Sequence, residues 1–239
     1  MSCIGIISAL SSEGRCLTGQ AVPVKKPVQI NENAIVIVCG LGEDNARTAA
    51  QMLIEQNVSA LVSWGTAGAL TENVHVGDLI LADSVVTKEG ESYLFDTEWN
   101  KRVANKLCNT SLKIRNGMIA HADQVLSTPE KKSRLLSATR ALATDMESIS
   151  IARCAYTANL PCVAVRAIVD ESSQVIPGVI IDNTDIFGRP ALLPLLISLS
   201  RKPDLIPALI HLAKGMKAAT KTLKTVARNQ AVFSGPANT

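Results

Sequence analysis

The chain has 239 residues, of which 47% are hydrophobic and 3% aromatic, and its formal net charge is +3 at pH 7. This length and apolar content suffice for one α/β domain with a large core, and the small net charge gives no argument for a nucleic-acid-binding protein. The six cysteines and three histidines form no CxxC motif or Cys/His cluster. The pattern therefore predicts buried free thiols in a reducing compartment and no metal site. Since the first residues lack the basic and apolar segments of a signal peptide, we expect a cytoplasmic protein.

The N-terminal third predicts buried strands separated by glycine-containing turns. Residues 4–10 form an apolar run, and Glu13 follows in a loop or helix start, where an exposed carboxylate is stabilised by the helix dipole. Residues 18–33 contain two prolines and predict a loop or an edge hairpin. Residues 34–39 predict a second strand, which a Gly-Leu-Gly turn ending at Gly42 joins to a helix. Strand, glycine turn and helix can cradle a phosphate, but this glycine pattern alone is a weak indication.

The middle of the chain continues the alternation. Residues 60–64 predict a third strand, and Gly65-Thr-Ala-Gly68 predicts a turn after it. Such a turn either offers backbone N–H groups and the Thr66 hydroxyl to an anion or a sugar, or simply ends the strand. Another strand is expected over residues 85–94 and a helix over 98–108. Thr128 predicts the N-cap of a further helix, with Pro129 as its first residue.

Residues 143–170 carry the most informative pattern of the chain, which predicts a helix, a tight turn and a buried strand. Asp145 and Glu147 fall at the start of the predicted helix. Arg166 and Asp170 lie four residues apart on the predicted strand, so their side chains point to the same face. A buried charged side chain needs a partner of opposite charge or a role in a functional site. Arg166 and Asp170 therefore form either a structural ion pair or part of such a site.

The C-terminal region changes character after Asp170. A polar segment over residues 171–188 precedes an apolar run over 188–199, which a charged, proline-containing stretch interrupts before an amphipathic helix over 205–226. The interruption excludes a membrane-spanning helix. The helix carries a basic face formed by Lys214, Lys217, Lys221, Lys224 and Arg228. Such a face is typical of helices that bind a membrane surface, but it also suits a terminal helix that packs on the domain with solvated lysines.

Several motifs, in the right order and at the right separation, resemble the methylthioadenosine/S-adenosylhomocysteine nucleosidases and the related purine nucleoside phosphorylases. The matching segments are Ile4-Gly-Ile-Ile with Glu13, Gly40-Leu-Gly42 with Asn45-Ala46, Gly65-Thr-Ala-Gly68, Met146-Glu147 and Arg166-Ala-Ile-Val-Asp170. The alternating apolar runs already indicate an α/β domain with a mixed, twisted central β-sheet flanked by helices. The resemblance adds a single domain, a homodimer or larger homo-oligomer, and cleavage of the N-glycosidic bond of an adenine nucleoside without a cofactor.

The resemblance also implies roles for individual residues. Asp170 would protonate N7 of the purine, while Glu13 and Arg166 would place the nucleophile. The residues that would bind substrate are Gly42, Ser63, Gly65, Thr66, Gly68, Val125, Leu126, Met146 and Glu147. Within this set, Met146 and Glu147 would bind the ribose. Val125 stands where the family has an aromatic residue that stacks on the purine, so the base would lie between apolar side chains.

The C-terminal pattern, which begins at Gly188-Arg-Pro, resembles the hopanoid-associated branch of the nucleoside phosphorylases. That branch is associated with the removal of adenine from adenosylhopane, a nucleoside that bears a pentacyclic triterpenoid. It implies phosphorolysis with phosphate as co-substrate, although Ser63 occupies the position of a phosphate-binding arginine in bacterial phosphorylases. We favour phosphorolysis, with Arg15, Arg47 and Thr66 replacing that arginine.

The alternatives are a hydrolytic nucleosidase, a non-catalytic nucleoside-binding protein and a protein that acts mainly through peripheral contact with the inner membrane. We assign residues 1–189 to a nucleoside phosphorylase-like catalytic domain. Residues 190–239 are assigned to a C-terminal apolar and basic helical extension packed on the same domain.

Overall fold

The computed structural model describes residues 3–189, 191 and 203–236. Most of the predicted apolar run over 188–199, and Arg201 and Lys202 of its charged interruption, lie outside these residues. The strands β1 to β9 are Ile4–Ser8, Val28–Asn31, Ala34–Val38, Ala60–Ala69, Leu79–Val86, Ser92–Leu94, Ile114–His121, Ala143–Asp145 and Cys162–Asp170. The helices α1 to α7 are Ser11–Thr18, Glu43–Glu55, Thr97–Lys106, Pro129–Thr139, Ser148–Thr157, Gly178–Asp182 and Ile206–Arg228.

The strands form one mixed sheet in the order β2-β3-β1-β4-β8-β7-β5-β6, and β9 pairs with both β4 and β5. The pairs β1–β3, β1–β4, β4–β9, β5–β7 and β7–β8 are parallel. The pairs β2–β3, β4–β8, β5–β6 and β5–β9 are antiparallel. Strands β4, β9, β5, β7 and β8 therefore close into a ring, because each pairs with the next and β8 returns to β4.

Helices cover both faces of the sheet, as the alternating buried strands require. On one face, Leu53 of α2 and Ile149 of α5 pack in a single apolar cluster with Ile7 of β1. On the other face, a second cluster joins Val103 of α3 and Leu223 of α7 to Ile6 of β1. The expected α/β fold with a mixed, helix-flanked sheet is confirmed.

Three local predictions are wrong. Gly65–Gly68 is not a turn but continues β4, since β8 and β9 pair with it as far as Gly68 and Ala69. Asp145 ends strand β8 instead of lying on a helix, and α5 begins only after Glu147. The single strand expected over residues 85–94 is the end of β5 and a separate short strand, β6, paired antiparallel to it.

Helix α7 packs against β9 and α1, and its lysine face is exposed as predicted. Its approach to β9 is close, because a Cβ added at Gly215 would lie 2.1 Å from the carbonyl oxygen of Val169. The Thr222 hydroxyl also donates a hydrogen bond to the carbonyl of Gly77 at 2.7 Å. Among the described residues, none of the helices is both long and apolar enough to cross a membrane.

Candidate active site

A cavity of about 520 Å³ opens where β1, β4, β8 and β9 reach their carboxyl ends. Ligands in α/β sheets bind at such ends, and this volume lies in the usual range for small-molecule sites. The wall is mainly apolar but includes four buried charged residues, which are Glu13, Lys132, Asp145 and Glu147, and a fifth, Asp170, at the end of β9. A second cavity, of about 430 Å³, lies beside Leu17 and Val28 and has no titratable side chain in its wall.

Glu13 is buried in the first turn of α1 and is 3% exposed, so the alternative interpretation, an exposed carboxylate at a helix start, is wrong. One of its oxygens accepts a hydrogen bond from the backbone N–H of Leu10 at 2.9 Å. The other accepts two from Thr66, from the backbone N–H and from the hydroxyl, both at 2.8 Å. Burial raises the pKa of Glu13, while Arg166 and these hydrogen bonds lower it, and the net shift is upward.

Arg166 lies behind the cavity wall and is held by several partners at once. Its Nε is 2.6 Å from Oδ2 of Asp145, and its Nη2 donates hydrogen bonds to the hydroxyls of Ser63 at 2.6 Å and Ser148 at 3.0 Å. Gly65 is required here, since a Cβ at that position would lie 2.5 Å from Nη1 of Arg166. The same Cβ would lie 2.8 Å from the Glu13 carboxylate, so the guanidinium group and this carboxylate converge on one backbone position.

Glu147 lies between β8 and α5 and is 5% exposed. Its Oε1 accepts a hydrogen bond from the backbone N–H of Gly42 at 2.8 Å, a contact that the glycine turn before α2 supplies. Burial raises the pKa of Glu147 to about 7, against the lowering effect of Arg166 and with a further raising effect of Asp145. The carboxyl group therefore changes charge near neutral pH.

Asp170 ends β9 and forms an ion pair with Lys132 of α4, and both side chains are buried. Burial raises the pKa of Asp170, and the ammonium group of Lys132 lowers it by a smaller amount. Gly68 faces the carboxylate closely, since a Cβ there would lie 3.1 Å from Oδ1. The structural Arg166–Asp170 pair, considered as the alternative to a functional site, is not formed, because each residue has a different partner.

The predicted site residues separate into two groups in the structure. The members that line the cavity are Glu13, Thr66, Gly68, Val125, Leu126, Met146, Glu147 and Asp170. Arg166, Ser63, Gly65 and Gly42 do not line it. Gly42 bonds to Glu147 and Arg166 pairs with Asp145, which do line it, while Ser63 holds Arg166. Of the three suggested replacements for a phosphate-binding arginine, only Thr66 lines the cavity, because Arg15 and Arg47 are exposed on α1 and α2 and lie outside the wall.

Comparison with known proteins identifies the family of the chain. The family model described as the phosphorylase superfamily matches residues 13–176. The chain belongs to the phosphorylase superfamily. A 5'-methylthioadenosine/S-adenosylhomocysteine nucleosidase of Staphylococcus aureus is 24% identical over 195 residues, which cover 70% of this chain and 86% of the relative. The resemblance to this superfamily that the motifs indicated is thereby confirmed.

Solved structures of superfamily members share the fold over nearly the whole chain. The 5'-methylthioadenosine/S-adenosylhomocysteine nucleosidase of Neisseria meningitidis, in complex with methylthio-immucillin-A, has a TM-score of 0.72 at 16% identity and covers 98% of this chain and 100% of its own. The futalosine hydrolase of Helicobacter pylori has a TM-score of 0.69 at 19% identity and covers 95% of this chain and 97% of its own. At these identities, the likeness concerns the fold.

Sequence reasoning missed one charged residue of this superfamily member's site, Lys132. Its signal is its position, because it shares the buried stripe of α4 with Leu135 and Thr139, where a lysine is unusual. Helices α6 and α7 contribute an apolar wall to the same cavity, with Ile180, Leu209, Leu212 and Met216 among its members. Among the described residues, no group of three or more His, Cys, Asp or Glu side chains is placed to hold a metal ion.

Proposed function

We propose that the chain cleaves the N-glycosidic bond of an adenine nucleoside and releases adenine. The observation that carries this proposal is the convergence of three buried carboxyl groups, those of Asp170, Glu147 and Glu13, on one mainly apolar cavity. Breaking the bond leaves positive charge on the sugar and negative charge on the base, so the reaction needs an acid near the base and anions near the sugar.

Asp170 is proposed to be the general acid. Burial raises its pKa, which favours the protonated form that a proton donor requires. When it protonates N7, the O–H bond breaks, the N7–H bond forms, and the electron pair of the glycosidic bond moves into the purine. The half-buried side chains of Val125 and Leu126 line the same cavity and offer apolar contact to an adenine ring.

Glu147, with Met146 beside it, is proposed to bind the ribose hydroxyls. A carboxylate in this place stabilises the sugar more as it becomes cationic, so its contribution is largest in the transition state. The hydrogen bond from Gly42 holds Glu147 in place before substrate binds. Its pKa of about 7 leaves both protonation states accessible near neutral pH.

Water is proposed to be the nucleophile, with Glu13 as the base that receives its proton. Glu13, Asp145 and Glu147 place three carboxyl groups around a single guanidinium group, that of Arg166, which Asp145 already engages. A phosphate anion would enter a region with excess negative charge, whereas a neutral water molecule would not. This charge arrangement favours hydrolysis over the phosphorolysis that the C-terminal pattern suggested.

The apolar wall of α6 and α7 is proposed to bind a large apolar 5′ substituent. The half-buried side chains of Leu209, Leu212 and Met216 face the cavity and offer apolar surface beyond what adenosine itself requires. Burial of apolar area contributes about 25 cal/mol per Å², so a polycyclic substituent gains several kcal/mol of binding free energy. Adenosylhopane, which the resemblance to the hopanoid-associated branch suggests, is the first such nucleoside to test.

The deciding experiment measures adenine release from adenosine, methylthioadenosine and adenosylhopane, with and without phosphate, and identifies the sugar product by mass. We expect a free sugar that carries ¹⁸O when the reaction runs in ¹⁸O-labelled water, with the highest kcat/KM for the apolar substrate. A phosphorylated sugar that forms only with phosphate would instead establish phosphorolysis. Tight binding of these nucleosides without adenine release would indicate a non-catalytic nucleoside-binding protein.

A further inference from the structure

The buried lysine beside Asp170 has no role in the reaction as proposed so far. Lys132 is 1% exposed and Asp170 is 4% exposed, so both ends of this ion pair are removed from water. The Nζ of Lys132 contacts Oδ2 of Asp170 and also donates a hydrogen bond to the backbone carbonyl of Glu171. Burial of an unpaired ammonium group would lower the stability of the fold. The two oxygen partners of Lys132 offset this loss and hold its side chain in place.

The local structure around α4 holds Lys132 in this position. The helix starts at a Thr128 cap followed by Pro129, and its fourth residue points inward with Leu135 and Thr139. The backbone N–H of Ile176 bonds to the carbonyl of Ser127 at 2.9 Å, which ties the segment after β9 to the start of α4. The lysine therefore reaches the end of β9 from a helix that is itself anchored to that strand's continuation.

The charges around Asp170 are few. The other titratable groups of the cavity wall, Glu13, Asp145 and Glu147, gather around Arg166. Glu171 directs its side chain to His75, 3.5 Å away, and both of these are substantially exposed. Helix α7, which packs on β9, brings no titratable side chain to the cavity wall. Lys132 is thus the charged side chain that acts on the Asp170 carboxyl group.

Resting on the proposed function, we propose that Lys132 is a positioning residue that sets the acidity of Asp170 and stabilises the carboxylate left after proton transfer. The contact with Lys132 occupies Oδ2 and leaves the other carboxyl oxygen to serve N7. Once the proton has moved to the purine, the new carboxylate lies against an ammonium group instead of being buried alone. Solvent restores the proton to Asp170 after adenine leaves.

The first test is the substitution Lys132→Met, which keeps the length of the side chain and removes its charge. Without the ammonium group, the pKa of Asp170 rises, so the high-pH limb of the kcat/KM profile moves to higher pH. The rate of adenine release falls as well, on the order of 10-fold or more, because a weaker acid transfers its proton less readily. Lys131→Met is the matched control, since Lys131 is the exposed neighbour on the same helix, and it should leave the profile and the rate unchanged.

A double-mutant cycle separates this role from a merely structural one. If Lys132 acts through Asp170, Lys132→Met lowers the rate of the native chain but causes little further loss in the Asp170→Asn variant. Equal losses in both backgrounds would overturn the proposal, because the lysine would then act independently of the acid. Lys132→Arg retains a positive charge and should restore the position of the high-pH limb.

A measurement that does not depend on activity distinguishes failure of this proposal from failure of the proposed function. Titration of the ¹³C-labelled carboxyl carbon of Asp170, assigned by its absence in Asp170→Asn, should show a higher pKa in Lys132→Met than in the native chain. An unchanged pKa overturns this inference whatever the activity. A raised pKa in a protein whose native form cleaves no nucleoside overturns the proposed function and the catalytic part of this inference, and retains Lys132 only as the residue that sets the pKa of Asp170.

Discussion

Arg166 and Asp145 form an ion pair inside the protein, with Nε 2.6 Å from Oδ2 and each side chain only 1% exposed. The pair joins the middle of β9 to the end of β8, two strands that are not hydrogen-bonded to each other. Burial lowers the pKa of Arg166, but Asp145, Glu147 and Glu13 together raise it by a larger amount, so the net shift is upward. The guanidinium group is therefore positively charged. It pairs with Asp145 and is the positive charge that stabilises the carboxylates of Glu147 and Glu13.

The first prediction concerns this pair. Asp145→Asn keeps the shape of the side chain but leaves Arg166 buried without its closest negative charge, and removing one partner of a buried ion pair costs about 3–5 kcal/mol. Urea unfolding should show this loss of stability. Asp44→Asn is the matched control, because Asp44 also pairs with an arginine, Arg47, on an exposed helix surface. Equal effects of the two substitutions would contradict the structural role assigned to Asp145.

The second prediction concerns the proposed acid. Asp170→Asn should lower the rate of adenine release by about 10²–10⁴-fold, the usual contribution of general acid catalysis, because an amide cannot supply the proton. The measurement is single-turnover release of adenine from the best substrate. Asp182→Asn serves as the control, since Asp182 is an exposed residue at the end of α6. Turnover near that of the native chain would remove Asp170 from the role.

The third prediction is a pH dependence of stability that depends on Glu147. Its pKa in the folded chain is about 7, raised from an ordinary value of 4.5, so the folded state keeps a proton that the unfolded state releases. The resulting stabilisation is complete below the ordinary pKa and is lost as the pH rises through the folded-state pKa, by roughly 3 kcal/mol in all. Glu147→Gln removes this titration, so its unfolding free energy should fall less over the same window. Identical slopes for the two proteins would show that Glu147 does not titrate in this range.

The fourth prediction tests the apolar wall. Leu212→Gln should lower kcat/KM for a nucleoside with a large apolar 5′ group by roughly 5- to 30-fold, which corresponds to about 1–2 kcal/mol of lost apolar contact. The kcat/KM for adenosine should change little, because adenosine carries no group to contact this wall. Lys217→Gln, on the exposed face of the same helix, should change neither value. A similar loss for both substrates would place Leu212 outside the 5′ site.

The fifth prediction concerns the basic face of α7. Replacing Lys214, Lys217, Lys221 and Lys224 together by Gln should weaken binding to anionic liposomes, since each lysine near such a surface contributes roughly 1 kcal/mol at low salt. All four side chains are exposed, so cleavage of adenosine should be retained. Flotation of native and substituted chains with liposomes measures the effect. Unchanged flotation would leave the lysines as a solvated face of a packed helix.

The sequence predicted the parts of the site that short motifs encode. Glu13 follows β1 and Asp170 ends β9, two strands that continuous apolar runs reveal. Together with Thr66 and Glu147, which short motifs indicated, they line the cavity. The burial and the hydrogen-bond partners of these residues could not be predicted from the sequence. From the sequence alone, Glu13 could equally be an exposed residue of a helix start, and its hydrogen bonds from Thr66 depend on the position of β4 beside β1.

Contacts between distant segments account for what was missed. The ion pair of Lys132 with Asp170 joins residues 38 positions apart, and no local pattern encodes that distance. Strand β8 has three residues, too few for a hydrophobic period to distinguish it from the start of the following helix. The exposure of Arg15 and Arg47 likewise depends on which faces of α1 and α2 meet the sheet.

The close approach of Gly215 to the carbonyl of Val169 places α7 one peptide unit from Asp170, because Asp170 is the next residue on β9. A chain with a different helix in place of α7 would need a glycine at this crossing, or the strand that carries Asp170 would shift. On the proposed function, a change in the wall that binds the 5′ group would then also move the proposed acid. Within α7, the close backbone approach restricts position 215 to glycine, whereas the side chains that line the cavity, such as Leu212 and Met216, are not restricted by this contact.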